Sequence, residues 1–229
     1  MSTPQKKILV VLTSADKLPN GKPTGWYLPE LAHPYYELKD DFKLVVASPA
    51  GGAAPLDQAS VEAFKSDPIA IKFLDDKEAQ DVVKHTVKLS SVNASDFDAI
   101  FYVGGHGPLV DLAVDQDSIK LIENFYSSGK ITAAVCHAPA VFNKTTHGGK
   151  PLISGKRFTG FSNVEEEAVG MTNDVPFLLE TSLTSLGGKY EKASEPWAPW
   201  VVVDGNLYTG QNPASAGPLA ERIKKDLLA

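Results

Sequence analysis

The chain has 229 residues, a formal net charge of −6, 43% hydrophobic and 22% charged residues, and a single cysteine. That length suits one sizeable α/β domain with a continuous core, and the negative balance argues against nucleic acid or an anionic membrane as the main partner. One thiol excludes an internal disulfide and gives no reason for an oxidising compartment. After Met1-Ser-Thr-Pro-Gln-Lys-Lys the apolar run is only Ile8 to Leu12, too short for a signal-peptide core or a membrane span. A cytoplasmic protein, with nuclear access open, is the expectation.

Lys6 to Thr13 is unbroken and branched, the pattern of a central parallel strand. A polar loop over 14–25 leads to a helix from Pro29 to about Lys39, with Pro34 kinking or restarting it. Phe42 to Ser48 reads as a second strand. After the Gly/Ala/Pro loop at 49–55, Asp57 to Phe64 holds a short turn, and Asp75 to Lys84 has the charge density of a surface helix. The 86–92 stretch reads as a short edge element. Asp96 to Val103 is a strand feeding Gly104-Gly105-His106-Gly107-Pro108, and helical periodicity then covers Val114 to Ser127 up to Gly129. Ile131 to Val135 is another buried strand. Lys156 to Gly160 reads as a strand, Ser162 as the cap of an acidic helix start at Glu165-Glu166-Glu167, and Val175 to Leu186 as an amphipathic helix. Val201 to Thr209 carries a hairpin signal around Asp204-Gly205, and Asn212-Pro213 caps a last helix through Leu228.

No repeat, linker or low-complexity run divides the sequence, so residues 1–229 are expected to form one domain. Alternating strands and helices imply an α/β fold: a mostly parallel central sheet with helices on both faces and a small added hairpin. In such sheets functional residues gather at the carboxyl ends of the strands. The loops after Thr13, Val103 and Val135 should therefore share one rim and bring Glu30, Gly104-Gly105 and Cys136 together.

Val135 meets Cys136 and His137 with no spacer, and Ala138-Pro139 opens a new apolar segment, with proline where a first helical turn tolerates it. Strand, abrupt turn and helix with a nucleophile-grade side chain on the turn is nucleophile-elbow geometry, and Ala134 and Ala138 are as small as it demands. A thiol there lies near a helix N-terminus, whose partial positive charge favours the thiolate. The bland alternative is a buried, inert cysteine. Gly104-Gly105-His106-Gly107 either brings backbone N–H groups to a ligand oxygen or simply makes a tight turn. A carboxylate from the acidic helix start can orient the histidine, completing nucleophile, base and orienter, while the other glutamates suit a solvated first turn. G-x-S-x-G, Walker A and G-x-G-x-x-G after a strand are absent. His33, His85, His106, His137 and His147 show no metal-ligand spacing, so neither metal nor cofactor is expected. Trp197 and Trp200 with their prolines read as packing a rim or an interface, with a substrate wall as the alternative.

Taken together, Ala-Val-Cys136-His137-Ala-Pro-Ala, Gly104-Gly105-His106-Gly107, Thr24-Gly25 with Glu30, and Thr209-Gly-Gln-Asn-Pro-Ala-Ser-Ala216 resemble the PfpI/DJ-one superfamily over nearly the whole chain. The extended Pro/Gly loop and the Pro196-Trp197 region are most similar to its fungal heat-shock-protein (Hsp31-like) branch, the glutathione-independent glyoxalases III. The resemblance implies a flavodoxin-like α/β sandwich, usually a homodimer, with a Cys-His-Glu triad. Cys136 matches the nucleophile and His137 the triad histidine. The segment Thr159-Gly-Phe-Ser-Asn-Val-Glu-Glu points to Glu166 as the acid, with Glu165 as the neighbour that competes for the role. Glu30 matches the carboxyl that contacts the cysteine sulfur, and the N–H groups of Gly105 and His137 match the oxyanion hole. Ala138 stands where relatives commonly carry glycine.

The reaction so implied converts a small 2-oxoaldehyde, methylglyoxal, to D-lactate without glutathione, in the D-lactate dehydratase class of lyases. Because an ionised Glu30 would oppose a thiolate, Glu30 is expected to be protonated and to donate a hydrogen bond. Other readings stay open on the same scaffold. A cysteine peptidase or deglycase needs a groove for a larger substrate, and an amidotransferase needs a synthase partner or an ammonia-using second domain, for which the chain is expected to have no room. The resemblance also implies a holdase-chaperone role in stress protection, and a reactive thiol suits redox sensing by oxidation.

Overall fold

A strand whose branched side chains do not alternate is buried on both faces, and such a strand belongs in the middle of a covered sheet. In the computed structural model, which describes residues 5–229, Lys7–Val11 (β1) takes that place. The domain expected over 1–229 begins with Met1 to Pro4, which lie outside the described residues. The chain continues through α1 (Leu28–Leu38), β2 (Lys43–Ser48), α2 (Gln58–Ala63), α3 (Pro68–Asp75), α4 (Lys77–Lys84) and β3 (Val87–Lys88). Next come β4 (Ala99–Tyr102), α5 (Gln116–Ser127), β5 (Ile131–Val135), β6 (Thr146–His147), β7 (Lys150–Pro151) and β8 (Arg157–Phe158). The last elements are α6 (Asn163–Ala168), α7 (Leu179–Ser185), β9 (Lys189–Tyr190), β10 (Val201–Asp204), β11 (Leu207–Gly210) and α8 (Ala216–Leu228).

Seven strands form one sheet in the order β10-β11-β5-β4-β1-β2-β3, parallel throughout except for β10 against β11. Ile8 and Val10 pack on one face with α1, α3, α4 and α8, and Leu9 and Val11 on the other with α5 and α7. Both faces are thus covered, as an apolar parallel sheet requires. No helix among the described residues is long and apolar enough to cross a membrane.

Several expectations change in detail. Pro34 lies inside one continuous α1 rather than restarting it. The short turn at Asp57 to Phe64 is helical, with Asp57 capping α2 by accepting from Ala59 N–H at 2.9 Å. An unanticipated helix, α3, starts at Asp67-Pro68, where Asp67 accepts from Ile69 N–H at 2.8 Å and proline occupies the first turn. The Lys156 to Gly160 strand shrinks to β8 and pairs with β9 outside the central sheet. It cannot extend further, because the chain turns to give Phe161 N–H to the Cys136 carbonyl at 2.8 Å. The helix expected from Val175 begins only at Leu179, with Leu178 in extended backbone as its N-cap. The expected added hairpin is part of the main sheet: β11 pairs with β5, and β10 forms the edge.

Candidate active site

Strand order reverses between β1 and β4, which opens a crevice at their carboxyl ends. β5 ends beside them, and the chain must turn at once into a short 3-10 helix over Ala138–Asn143. Cys136 makes that turn with φ at 61°, a left-handed conformation that is costly for any residue with a Cβ. Two backbone hydrogen bonds hold it there: Cys136 N–H donates to the Gly210 carbonyl at 2.9 Å, and the Cys136 carbonyl accepts from Phe161.

Gly104 and Gly105 let three segments close on this elbow. A Cβ at Gly104 would fall 2.3 Å from Glu30 Oε2 and 2.8 Å from Cys136 Cβ. At Gly105, where φ is 93°, it would fall 2.3 Å from the Gly25 carbonyl oxygen. Gly105 N–H is aimed at the thiol, and Tyr27 N–H donates to the Gly104 carbonyl at 3.1 Å.

Glu30 comes from the first turn of α1 and is 0% exposed, with neither carboxyl oxygen meeting a hydrogen-bond partner of ordinary geometry. Burial pushes its carboxyl up to about 8, only partly offset by the Cys136 thiol and the Gly104 N–H. It therefore carries a proton at neutral pH. Burial also pushes the Cys136 thiol well above its ordinary range, a charge on Glu30 adds to the push, and the Gly105 N–H opposes it. This corrects the expectation that a helix N-terminus favours the thiolate. The 3-10 segment that follows is short, and removing sulfur from water outweighs its dipole.

On the other side of the sulfur, His137 Nδ1 lies 3.4 Å from Cys136 Sγ, and His137 Nε2 lies 2.6 Å from Glu166 Oε2. The other oxygen of Glu166 is 2.8 Å from His106 Nε2. Burial alone would raise the Glu166 carboxyl, but His137 and His106 hold it far below the usual carboxylate range. An ionised carboxylate only accepts, so both Nε2 atoms carry protons and His137 presents a bare Nδ1 to the thiol. The His137 ring is 1% exposed and lies between Phe161, at 4.3 Å between centroids, and His106, at 4.0 Å. Burial first, and His106 second, push His137 down to about 4 against the pull of Glu166, so the imidazole is neutral at pH 7.

The competition between the two adjacent glutamates resolves on geometry. Ser162 caps α6 in a capping box with Glu165, whose carboxylate turns away from His137 to accept from Ser162, Trp197, Gln211 and Asn212. Glu166, one residue on, faces the two histidines. Of the three glutamates only Glu167 is solvated; Glu165, the other neighbour of Glu166 for which the sequence suggested a solvated first turn, is buried. Cys136, His137, Glu166, Glu30 and Gly105 are thus brought together, and Trp197 joins them. Trp200 does not, since it is 40% exposed and its N–H donates to Ser215 Oγ at 3.0 Å. The residue that sequence reasoning missed as a site member is His106, whose only signal was its place in the glycine turn after β4.

The cavity over the sulfur holds about 60 Å³, with Cys136, His106 and His137 as its polar part and Tyr27, Phe161, Val169 and Trp197 as apolar walls. His106, His137 and Glu166 each offer one ligand atom within 4.8 Å of the others, the kind of set a cation would meet. Both Nε2 atoms and both carboxylate oxygens are already engaged with one another.

Two consequences are measurable. Below its ordinary value of 4.5 the Glu30 carboxyl is neutral folded or unfolded; between 4.5 and about 8 unfolding releases its proton, so stability falls as pH rises through that window. The stability gained by Glu30→Gln over wild type is expected to grow by about 3 kcal/mol between pH 4 and pH 7 in urea unfolding; a difference independent of pH would contradict a buried, protonated carboxyl. His106→Gln removes the second cause of the low His137 value while keeping a donor for Glu166. The His137 midpoint, followed by NMR of the ring, should move up from about 4; no movement would mean that the two rings are not coupled.

Residues 27–225 match the DJ-1/PfpI family. "Glyoxalase 3" of Candida albicans is 31% identical over 234 residues, covering 95% of this chain and 96% of that protein. "Glutathione-independent glyoxalase HSP31" of Saccharomyces cerevisiae is 32% identical over 229 residues, with 95% and 96% covered. Among solved structures, Rapid Encystment Protein 24 KDa of Francisella tularensis superposes with a TM-score of 0.91 at 37% identity, covering 97% of this chain and 99% of that one. Glyoxalase III of Candida albicans superposes with a TM-score of 0.87 at 30% identity, with 96% and 97% covered. A cysteine elbow on a parallel sheet, matched in sequence and in fold along nearly its whole length, makes this chain a member of the DJ-1/PfpI family.

Proposed function

We propose that the chain is a glutathione-independent glyoxalase that converts methylglyoxal, or a 2-oxoaldehyde of similar size, to D-lactate through Cys136. The observation that carries this reading is the hydrogen-bonded line Cys136–His137–Glu166 opening on a cavity of about 60 Å³. The names of the two fungal relatives support the same activity.

The chemistry follows from the order of protonation states. Sulfur attacks the aldehyde carbon as the thiol proton passes to His137 Nδ1, and Glu166 stabilises the imidazolium so formed. Protonated Glu30 adds no opposing charge and donates toward the sulfur. The oxyanion meets the N–H groups of Gly105 and His137, and it then takes the proton back from the ring as a hemithioacetal hydroxyl. Neutral again, His137 removes the hydrogen from the former aldehyde carbon and returns it to the adjacent carbon through an enediol, while the hemithioacetal hydroxyl proton ends on the neighbouring carbonyl oxygen, leaving a 2-hydroxy thioester. Water cleaves the thioester, releasing the 2-hydroxy acid and restoring the thiol, so the net change is addition of one water to the oxoaldehyde. A base with a midpoint near 4 is unprotonated at neutral pH, as two of these steps require. The narrow cavity argues against a peptidase, which must admit an extended chain. The homodimeric state and the cytoplasmic or nuclear location belong to the same proposal.

Purified protein should form D-lactate from methylglyoxal with no added thiol, and Cys136→Ala should lower the rate by about 10³-fold or more, as loss of a nucleophile does. Wild-type protein that leaves methylglyoxal unconsumed, or a Cys136→Ala variant that consumes it equally fast, would refute the assignment.

A further inference from the structure

Trp197 is the second non-glycine residue with a positive φ, at 67°, among the described residues. A bulky aromatic residue does not hold a left-handed backbone unless its surroundings over-determine it. Here the restraint is Glu165. Its Oε1 accepts from Trp197 N–H at 3.0 Å, from Gln211 Nε2 at 3.0 Å and from Asn212 Nδ2 at 2.9 Å. Its Oε2 accepts from Ser162 N–H at 2.9 Å and Ser162 Oγ at 2.7 Å. Asn212 also donates to the Ala198 carbonyl at 2.9 Å, so the segment is gripped on both sides of the indole. Burial would raise the Glu165 carboxyl, yet the donors from Asn212 and Ser162 bring it below its ordinary value, so the hub keeps its charge.

The position of the indole gives this arrangement a use. Trp197 lines the cavity that contains Cys136 and is also 44% exposed, so it stands where the cavity meets solvent. Its ring packs edge-on against Phe161, 5.7 Å between centroids, and Phe161 in turn covers His137. The same first turn of α6 therefore supplies Glu166 to the base and Glu165 to the wall. The mechanism above uses neither Glu165 nor Trp197.

We propose that Trp197 is the specificity-determining residue of this site, admitting 2-oxoaldehydes with small aliphatic substituents and excluding aryl ones, and that Glu165 is the positioning residue that holds it there. The identity of the substrate rests on the glyoxalase reading; the gate itself does not.

Cys136 is the only cysteine in the chain, so its alkylation reads access without turnover. The experiment compares wild type, Trp197→Ala, Glu165→Gln and the double variant in two ways. One is the rate of thiol alkylation by N-phenylmaleimide relative to iodoacetamide. The other is kcat/KM for phenylglyoxal relative to methylglyoxal. Trp197→Ala should raise both bulky-to-small ratios about tenfold or more, the range that pocket fit confers. Glu165→Gln should move both ratios in the same direction, with no further gain in the double variant, because one residue acts through the other. Unchanged ratios in Trp197→Ala would overturn the gate. A uniform loss of rate in Glu165→Gln, with ratios unmoved, would reduce Glu165 to a structural role. If Glu165→Gln does not fold, Gln211→Leu, which removes one arm of the hub, should shift the ratios in the same direction by a smaller factor, and unmoved ratios there would overturn the positioning role. Absence of methylglyoxal turnover in wild type would refute the glyoxalase reading while the alkylation ratios still decide the gate.

Discussion

Two acids, Glu30 and Cys136, are buried side by side in a crevice that accommodates at most one negative charge between them. Removal from water raises both, and a charge on Glu30 would raise the thiol further. The proton on Glu30 resolves the conflict. A neutral carboxyl neighbours sulfur without repelling the charge that sulfur would acquire in the proposed attack, and the two groups titrate as a coupled pair. A glutamine would fill the same place with less cost to folding, so the buried carboxyl is a cost that the rest of the core must offset. The surrounding scaffold is built to enforce this contact. Gly104 has no room for a Cβ because Glu30 and the elbow both press on it, and the sheet and its flanking helices hold Cys136 in a backbone conformation it would otherwise leave.

The far side of the sulfur obeys the opposite rule. There one negative charge is welcome, because Glu166 is met by an N–H from each of two imidazoles. Burial, and after it the second ring sharing the carboxylate, keep His137 neutral, the state the proposed base needs, with ionised Glu166 beside it. The line from α1 through β5 to α6 thus runs from a protonated acid to an ionised one, with thiol and imidazole between.

Much of this arrangement was legible in the chain. Ile131 to Val135 reads as a strand and is one, and the abrupt change from branched residues to Cys136-His137-Ala-Pro marks the turn. Alternation of elements gives the parallel sheet, and the sheet rule places the loops after Thr13, Val103 and Val135 on one rim. What stayed hidden depends on contacts between distant segments. His106 looks like one more residue of a glycine turn until Glu166, 60 positions later, arrives beside it. Glu165 and Glu166 are interchangeable by composition, and only the capping geometry of Ser162 turns one toward Trp197 and the other toward His137. The direction of the Cys136 shift is hidden for a related reason: a helix dipole is visible in sequence, whereas burial of the sulfur is a property of the assembled core. The missed α3 differs, since Asp67-Pro68 carried its start signal openly.

Titration of Cys136 by its thiolate ultraviolet absorbance, in wild type and in Glu30→Gln, tests the shared-charge account most directly. Replacing the carboxyl by an amide of the same shape removes the neighbour whose charge opposes the thiolate most, so the midpoint in the variant should fall below that of wild type. A midpoint that stays where it was, or rises, would contradict the claim that Glu30 and Cys136 compete for a single negative charge.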